Sequence, residues 1–315
     1  MNAVMNVVRA ELLKVASKRR SYILAGLYWL LMPIVLLLVG RVVLVNLGGS
    51  FLEAEGVPID SLLGIIASPY GMARLAVLGP AYMNPSFYLI IVALFAALLI
   101  GEERSHNMWK TTLVAQPNRF AVYTGKFLVA WLVFAVLVAG GILFSFLFGA
   151  LGTTFLPTGF QGDWLGLLGT AGLQVLFAAA AIAFGFLVVF LLRNVALGIV
   201  TIFFLPPLLE GLYTLYATVV GFQPLTRFNM VFQALNLQRT MEELPRYFFT
   251  ANLYAPARSL LGDLTDSVDL GVNPGDLSGL LGGNMTMLHS GLVTLGYFVV
   301  FGLVGYWLFH RRDVA

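Results

Sequence analysis

Six apolar stretches, at 22–45, 84–101, 127–150, 165–192, 195–220 and 287–309, decide most of what this chain can become. Each is close to or above the roughly 20 residues that a helix needs to cross a hydrocarbon layer. In such a layer no water pairs with the backbone, so each crossing must satisfy its own N–H and C=O groups as an α-helix. The expected fold is therefore an all-α membrane protein with six transmembrane helices in a single permease-like domain spanning 1–315. Composition agrees, with 59% hydrophobic residues, 10% charged residues and a mean hydropathy of +0.90, against about 25% charged in soluble domains. The absence of cysteine excludes disulfides and thiolate metal sites. The first run, 22–45, is longer than a signal-peptide core and lacks an A-x-A site after it, so it reads as a retained span.

The segments between the spans set the orientation. If the N-terminus lies inside, the segments 1–20, 102–126, 193–194 and 310–315 are cytoplasmic and hold 12 of the 18 basic residues and four of the 15 acids. The opposite orientation inverts the Lys/Arg bias. Both termini are expected inside, in a multi-pass protein of the plasma membrane. Residues 1–20 read as an amphipathic interfacial helix. Val4, Val8, Leu12 and Val15, with Met1 and Met5, form its apolar side; Asn6, Arg9, Lys14 and Ser17 lie opposite, and Lys18-Arg19-Arg20 end it. In the outer segment 46–83, the apolar patches Leu62–Ala67 and Leu75–Leu78 predict a short helix on the membrane surface. In the outer segment 222–286, residues Asn229–Thr250 are a candidate amphipathic helix, followed by Asp263, Asp266, Asp269 and Asp276 on a solvated loop without an EF-hand pattern. Both segments are expected to cap the space between the spans. Glycines in the third span (Gly140, Gly141), the fourth (Gly166, Gly169, Gly172) and the sixth (Gly291, Gly296, Gly302, Gly305) predict close helix packing within one subunit.

The polar segment Gly101–Lys126 is the most informative on the cytoplasmic side. Residues 104–116 contain neither Gly nor Pro and predict a short helix that Pro117 ends. On it Trp109 and Leu113 share a face beside Met108 and Thr112, while Lys110 points away. A small apolar knob with a charged rim suits a groove on a soluble partner; the alternative for Trp109 is a headgroup-level anchor. No G-x-x-x-x-G-K-[ST] phosphate loop occurs in the chain, so ATP hydrolysis, if it drives this protein, belongs to another subunit.

The order Glu103, Asn107, Trp109, Lys110, Leu113, Pro117, Arg119 and Lys126 resembles the coupling-helix region of ABC-2 type ABC transporter permeases, nearest the lantibiotic-immunity and antibiotic-export branch. The resemblance covers about residues 1–220 and the last span, and the N-terminal amphipathic helix is similar to the family's elbow helix. Asn118-Arg119 departs from the small residue before Arg found in many members. The resemblance implies a non-enzymatic permease subunit of an exporter that works as a homo- or heterodimer in a bacterial inner membrane. ATPase subunits that carry ATP and Mg²⁺ would dock on Glu103, Met108, Trp109, Lys110, Leu113, Pro117 and Arg119. No cofactor is expected in this chain, and no nucleic acid as partner.

Other candidates stand apart from that segment. Glu210, in FFLPPLLEGLY, is an acid in an apolar run, a place where charge is costly and marks a translocation path by default. Pro206-Pro207 predict a helix break, with the span ending at Leu209 and a partly re-entrant segment beyond; the alternative gives Glu210 a proton-coupling role. Met285, Met287 and His289 form M-x-M-x-H, a soft-ligand pattern of the Cu(I) type, although on a helix Met287 faces away from the other two. Asn284-Met285-Thr286 is a glycosylation sequon by pattern. Arg41 is expected to snorkel. Two rival functions follow, an ion-gradient-driven transporter or channel using Glu210 and a non-transporting membrane scaffold.

Overall fold

The computed structural model describes residues 2–42, 59–82, 87–101, 114, 116–192, 194–222, 243–260 and 285–311. Among these, the chain is all helix and turn, and five helices are long and apolar enough to cross a membrane. These are α2 (Arg19–Val42), α6 (Arg119–Gly152), α7 (Trp164–Leu192), α8 (Val195–Phe222) and α10 (Met287–Arg311). Other helices are α1 (Asn2–Ser17), α3 (Ile59–Ile66), α4 (Pro69–Tyr82), α5 (Phe87–Ala96) and the short α9 (Phe249–Leu253), which is followed by a helical turn at 255–260. The expected second span is the exception: α5 has 10 residues and continues in a 5-residue π turn, Ala97–Gly101. At 1.5 Å per residue these described residues cover about 22 Å; 84–86 of the expected span lie outside the described residues.

α7 is the central post. Its interior face (Ala178, Ala181, Ala183, Phe186 and Val189 among others) is buried by α10, α8, α5 and α6. Small residues let neighbours approach α7, and ring contacts such as Phe190–Phe309 and Phe184–Phe301 fill the gap to α10. Indole and phenol tips, which cannot stay unpaired in lipid, donate to backbone carbonyls of neighbouring helices. Trp29 donates to Leu137 O at 2.9 Å, Trp131 to Val175 O at 2.8 Å, Tyr28 to Ala76 O at 2.7 Å and Tyr123 to Gly302 O at 3.2 Å.

The glycine expectation holds in the third span and at Gly305 of the sixth, which the Tyr123 hydroxyl approaches, but not along the fourth. A Cβ on Gly140 or Gly141 would overlap the Trp29 or Tyr28 ring, so α2 lies directly on α6 there. Gly169, Gly172, Gly296 and Gly302 face open space instead, and Gly291 is only touched by Phe177. In α2 the turn Leu27–Leu31 is π-helical just before Pro33. The proline has no N–H for the preceding turn, and widening that turn absorbs the mismatch without breaking the span.

Two expectations are corrected. The segment 59–82 does not hold a single surface helix. α4 is buried along α6, with Pro69 against Gly149 and Val77 beside Leu137 and Val138; Met72 and Ala73 are fully buried. Its apolar residues cover α4 on several sides, as for a helix packed inside a bundle rather than on its surface. Pro206-Pro207 do not end the fifth span: α8 runs as one helix through both to Phe222. Two adjacent prolines remove two N–H donors, a loss that helices in lipid tolerate when neighbours and local adjustment take over.

Candidate functional sites at the two ends of the bundle

The first site is where α1 meets the spans. α1 is amphipathic as expected, but rotated: its buried face is Val7, Val8, Glu11 and Val15, while Met5 and Leu12 are exposed. It does not simply rest on an interface. Val7 packs where a Cβ on Gly125 would stand, and Glu11 reaches Lys126 of α6. Lys126 is 1% exposed and donates to Glu11 Oε1 at 2.5 Å and to Leu99 O at 3.1 Å. Lys14 approaches the other carboxylate oxygen at 3.6 Å. A buried charge must be paired and hydrogen-bonded to be tolerated, and Lys126 is held in this way by α1 and by the π turn that ends α5. Lys126 thus belongs to a buried knot and not to a solvated loop, and Glu11 is a residue that pattern reading passed over. The signal was present: Glu11 lies four residues from both Val7 and Val15, in the middle of the buried stripe.

The flanks of the polar segment are ordered around this knot. Asn118 Oδ1 accepts from Ala121 N at 3.2 Å and caps α6, so the chain after Pro117 enters the span from a fixed point. Arg119 donates to His310 O at 2.5 Å, which ties the start of α6 to the end of α10, where Arg311 lies over Trp307. Of the predicted docking residues, Pro117 is exposed and Arg119 half-buried. Glu103, Met108, Trp109, Lys110 and Leu113 lie outside the described residues. Val114, the one described residue of the expected helix before Gln116, is helical and 84% exposed.

The second site lies at the other end, where α7, α8 and α10 meet residues 243–253. Glu210 sits fifteen residues after Val195, about 22 Å along α8 from its start. Its Oε1 accepts from Thr250 N at 2.8 Å and its Oε2 from the Thr250 hydroxyl. Thr250 is in the first turn of α9, whose N-cap Phe248 has no side-chain acceptor. Glu210 therefore caps α9 from a different helix, placing a carboxylate where a helix start favours negative charge. Arg258 supplies a further opposing charge. This clasp replaces the helix break that the prolines predicted. Of the candidate amphipathic helix Asn229–Thr250, residues 229–242 lie outside the described residues. The rest is a 3₁₀ turn, Leu244–Tyr247, followed by α9.

Glu210 lines an open cleft of about 360 Å³. The other walls are Phe184, Leu205, Pro206, Leu209, Leu244, Tyr247, Phe248, Phe249, Tyr297 and Phe301. Six of these ten are aromatic, and Glu210 is the one charged residue on the described walls. The rings brace each other, with centroid separations of 5.5 Å for Phe184–Phe249, 5.2 Å for Phe249–Tyr297 and 5.3 Å for Tyr297–Phe301. The Tyr297 hydroxyl donates to Tyr247 O at 2.8 Å.

Met285, Met287 and His289 do not form a described metal centre. His289 Nε2 lies 3.0 Å from Arg246 O, so that nitrogen carries the hydrogen, and the ring packs on Tyr247. Met287 packs against the core. No cluster of three His, Cys, Asp or Glu side chains occurs among the described residues. Asp263, Asp266, Asp269, Asp276 and Asn284 lie outside them. No protein-family model matches the chain, and no curated protein matches it.

Proposed function

We propose that this chain is the membrane-embedded permease subunit of an ABC-2 type exporter, driven by a separate ATPase that grips the polar segment between α5 and α6. The observation that carries the reading is the knot at Lys126. In the chain, residues 102–117 lie between the turn that holds Leu99 and the cap of α6 at Asn118, and Lys126 binds the carbonyl of Leu99 and the Glu11 carboxylate of α1 together. A push on that segment is delivered at once to α5, α6 and α1, as a lever requires. In this reading the knot end faces the cytoplasm, ATP and Mg²⁺ stay on the ATPase, and two permease subunits, identical or not, enclose the path.

The test is co-expression and co-purification with candidate ABC ATPase subunits, using full-length protein in mild detergent. Trp109→Ala and Leu113→Asp are each expected to lower ATPase recovery about tenfold or more, as for a central interface anchor. Unchanged recovery in both variants refutes docking at this segment. A second reading, transport on an ion gradient through Glu210, draws on that carboxylate's place at membrane depth. It predicts that Glu210→Gln abolishes transport while Trp109→Ala leaves it intact.

A further inference from the structure

We infer that the cleft between α7, α8, α10 and residues 243–249 is a binding site for a lipophilic monocation, a quaternary ammonium or phosphonium group carrying aryl or alkyl substituents. The inference goes beyond the permease reading and does not depend on it, because binding here needs no ATPase. Its volume of about 360 Å³ lies in the range of small-ligand pockets. Six aromatic rings line the cleft, and the quadrupole of a ring face attracts a cation within about 6 Å, most strongly where water is thinned out. Phe249, Tyr297 and Phe301 hold one another in place, so little side-chain freedom is lost on binding.

Charge selects among the ligands that would fit. Glu210 is the one carboxylate on the described walls, and no Lys, Arg or His side chain lines them. Thr250 takes one bond on each carboxylate oxygen, which fixes where the carboxylate stands on the cleft wall. Arg258 offsets part of the charge but is not on the cleft wall. A neutral apolar molecule gains only burial in this cleft, and an anion meets a carboxylate and the negative faces of rings. A cation without N–H donors is the best match, because the walls supply charge and π faces but few free acceptors.

The experiment uses the purified full chain in phosphatidylcholine nanodiscs and measures radiolabelled tetraphenylphosphonium by scintillation proximity, with empty nanodiscs subtracted. Saturable binding is expected. Glu210→Gln, whose amide oxygen can still accept from Thr250 N, should weaken it about tenfold, and Tyr297→Leu about three- to tenfold. Unlabelled tetraphenylphosphonium should displace the label, whereas triphenylphosphine oxide, similar in shape and uncharged, should compete at least about tenfold less well. Equal competition by the neutral compound, or wild-type affinity in Glu210→Gln, overturns the inference and leaves an unselective apolar slot. If Glu210→Gln fails to fold, Tyr297→Leu and the neutral competitor decide the matter. Failure here leaves ATPase docking untouched, and failure of docking leaves this binding untouched.

Discussion

Replacing Lys126 by Met tests the most costly single arrangement in the bundle. The change keeps a long apolar stem, deletes the ammonium group and leaves Glu11, whose side chain is 7% exposed, facing α6 without its partner at 2.5 Å. Breaking a buried pair from one side costs about 3–5 kcal/mol. Lys14, at 3.6 Å from the other oxygen, remains in place, which puts the expected cost at the low end, about 3 kcal/mol. That cost falls on the docked position of α1, because undocking returns Glu11 to water. The chain lacks cysteine, so a single Val7→Cys, buried against Gly125, reports undocking by its maleimide labelling rate. At about 1.4 kcal/mol per tenfold, Lys126→Met should speed labelling on the order of 10²-fold. The double variant Glu11→Leu/Lys126→Met removes both charges, and labelling should fall back to within about tenfold of the parent, because no lone buried charge remains. Labelling that Lys126→Met changes less than about threefold refutes the claim that this pair holds α1 on the spans.

Three further outcomes follow from packing. Gly141→Ala drives a methyl into the Tyr28 ring and should cost about 1–3 kcal/mol as an overpacked contact, seen as a lower melting temperature by fluorescence-detected size exclusion. Gly169→Ala, which meets open space, should instead leave stability unchanged or raise it by up to about 1 kcal/mol through helix propensity. Arg74, 7% exposed, donates to Leu260 O and so ties residues 255–260 to α4. Arg74→Met should speed amide hydrogen exchange there about tenfold or more, the size of a hydrogen bond from a charged group.

The long spans were legible because lipid leaves a helix no alternative, and a run of 23 or more apolar residues carries that constraint without any period. The contacts of Gly140 and Gly141 were legible for a related reason, since two adjacent small residues in a span otherwise rich in Phe, Leu and Val mark a place for a bulky partner. Burial of α4 was not, because its short apolar patches fit a surface helix and a packed helix equally well. Only the approach of Pro69 to Gly149 and of Tyr28 to Ala76 O, both distant in sequence, distinguishes the two. Pro206-Pro207 misled because local geometry argues for a break, whereas a helix in lipid has no water to take up the groups a break would free. Glu11 was hidden by being counted as one acid in a cytoplasmic tail, although its register on the Val7–Val15 stripe placed it on the buried face.

The charges buried or half-buried among the helices share one logic. Glu11 and Lys126 join the N-terminal helix to the ends of α5 and α6; Arg74 joins α4 to residues 255–260; Glu210 joins α8 to the start of α9. In each case the charge links a crossing or buried helix to a segment outside the spans. Apolar contact alone holds such a segment weakly in lipid, since the lipid tails offer its side chains nearly the same environment as the protein does. A charged group differs: exposed to hydrocarbon it is costly, and paired with a carbonyl, an N–H or an opposite charge it is not. Each clasp therefore fixes one position of its segment, and its two failed alternatives, lipid exposure and an unpaired burial, are both penalised. At Glu210 the same arrangement caps α9 and stands a carboxylate on the cleft wall, with Arg258 offsetting part of its charge. Two hydrogen bonds from one threonine fix where the carboxylate sits.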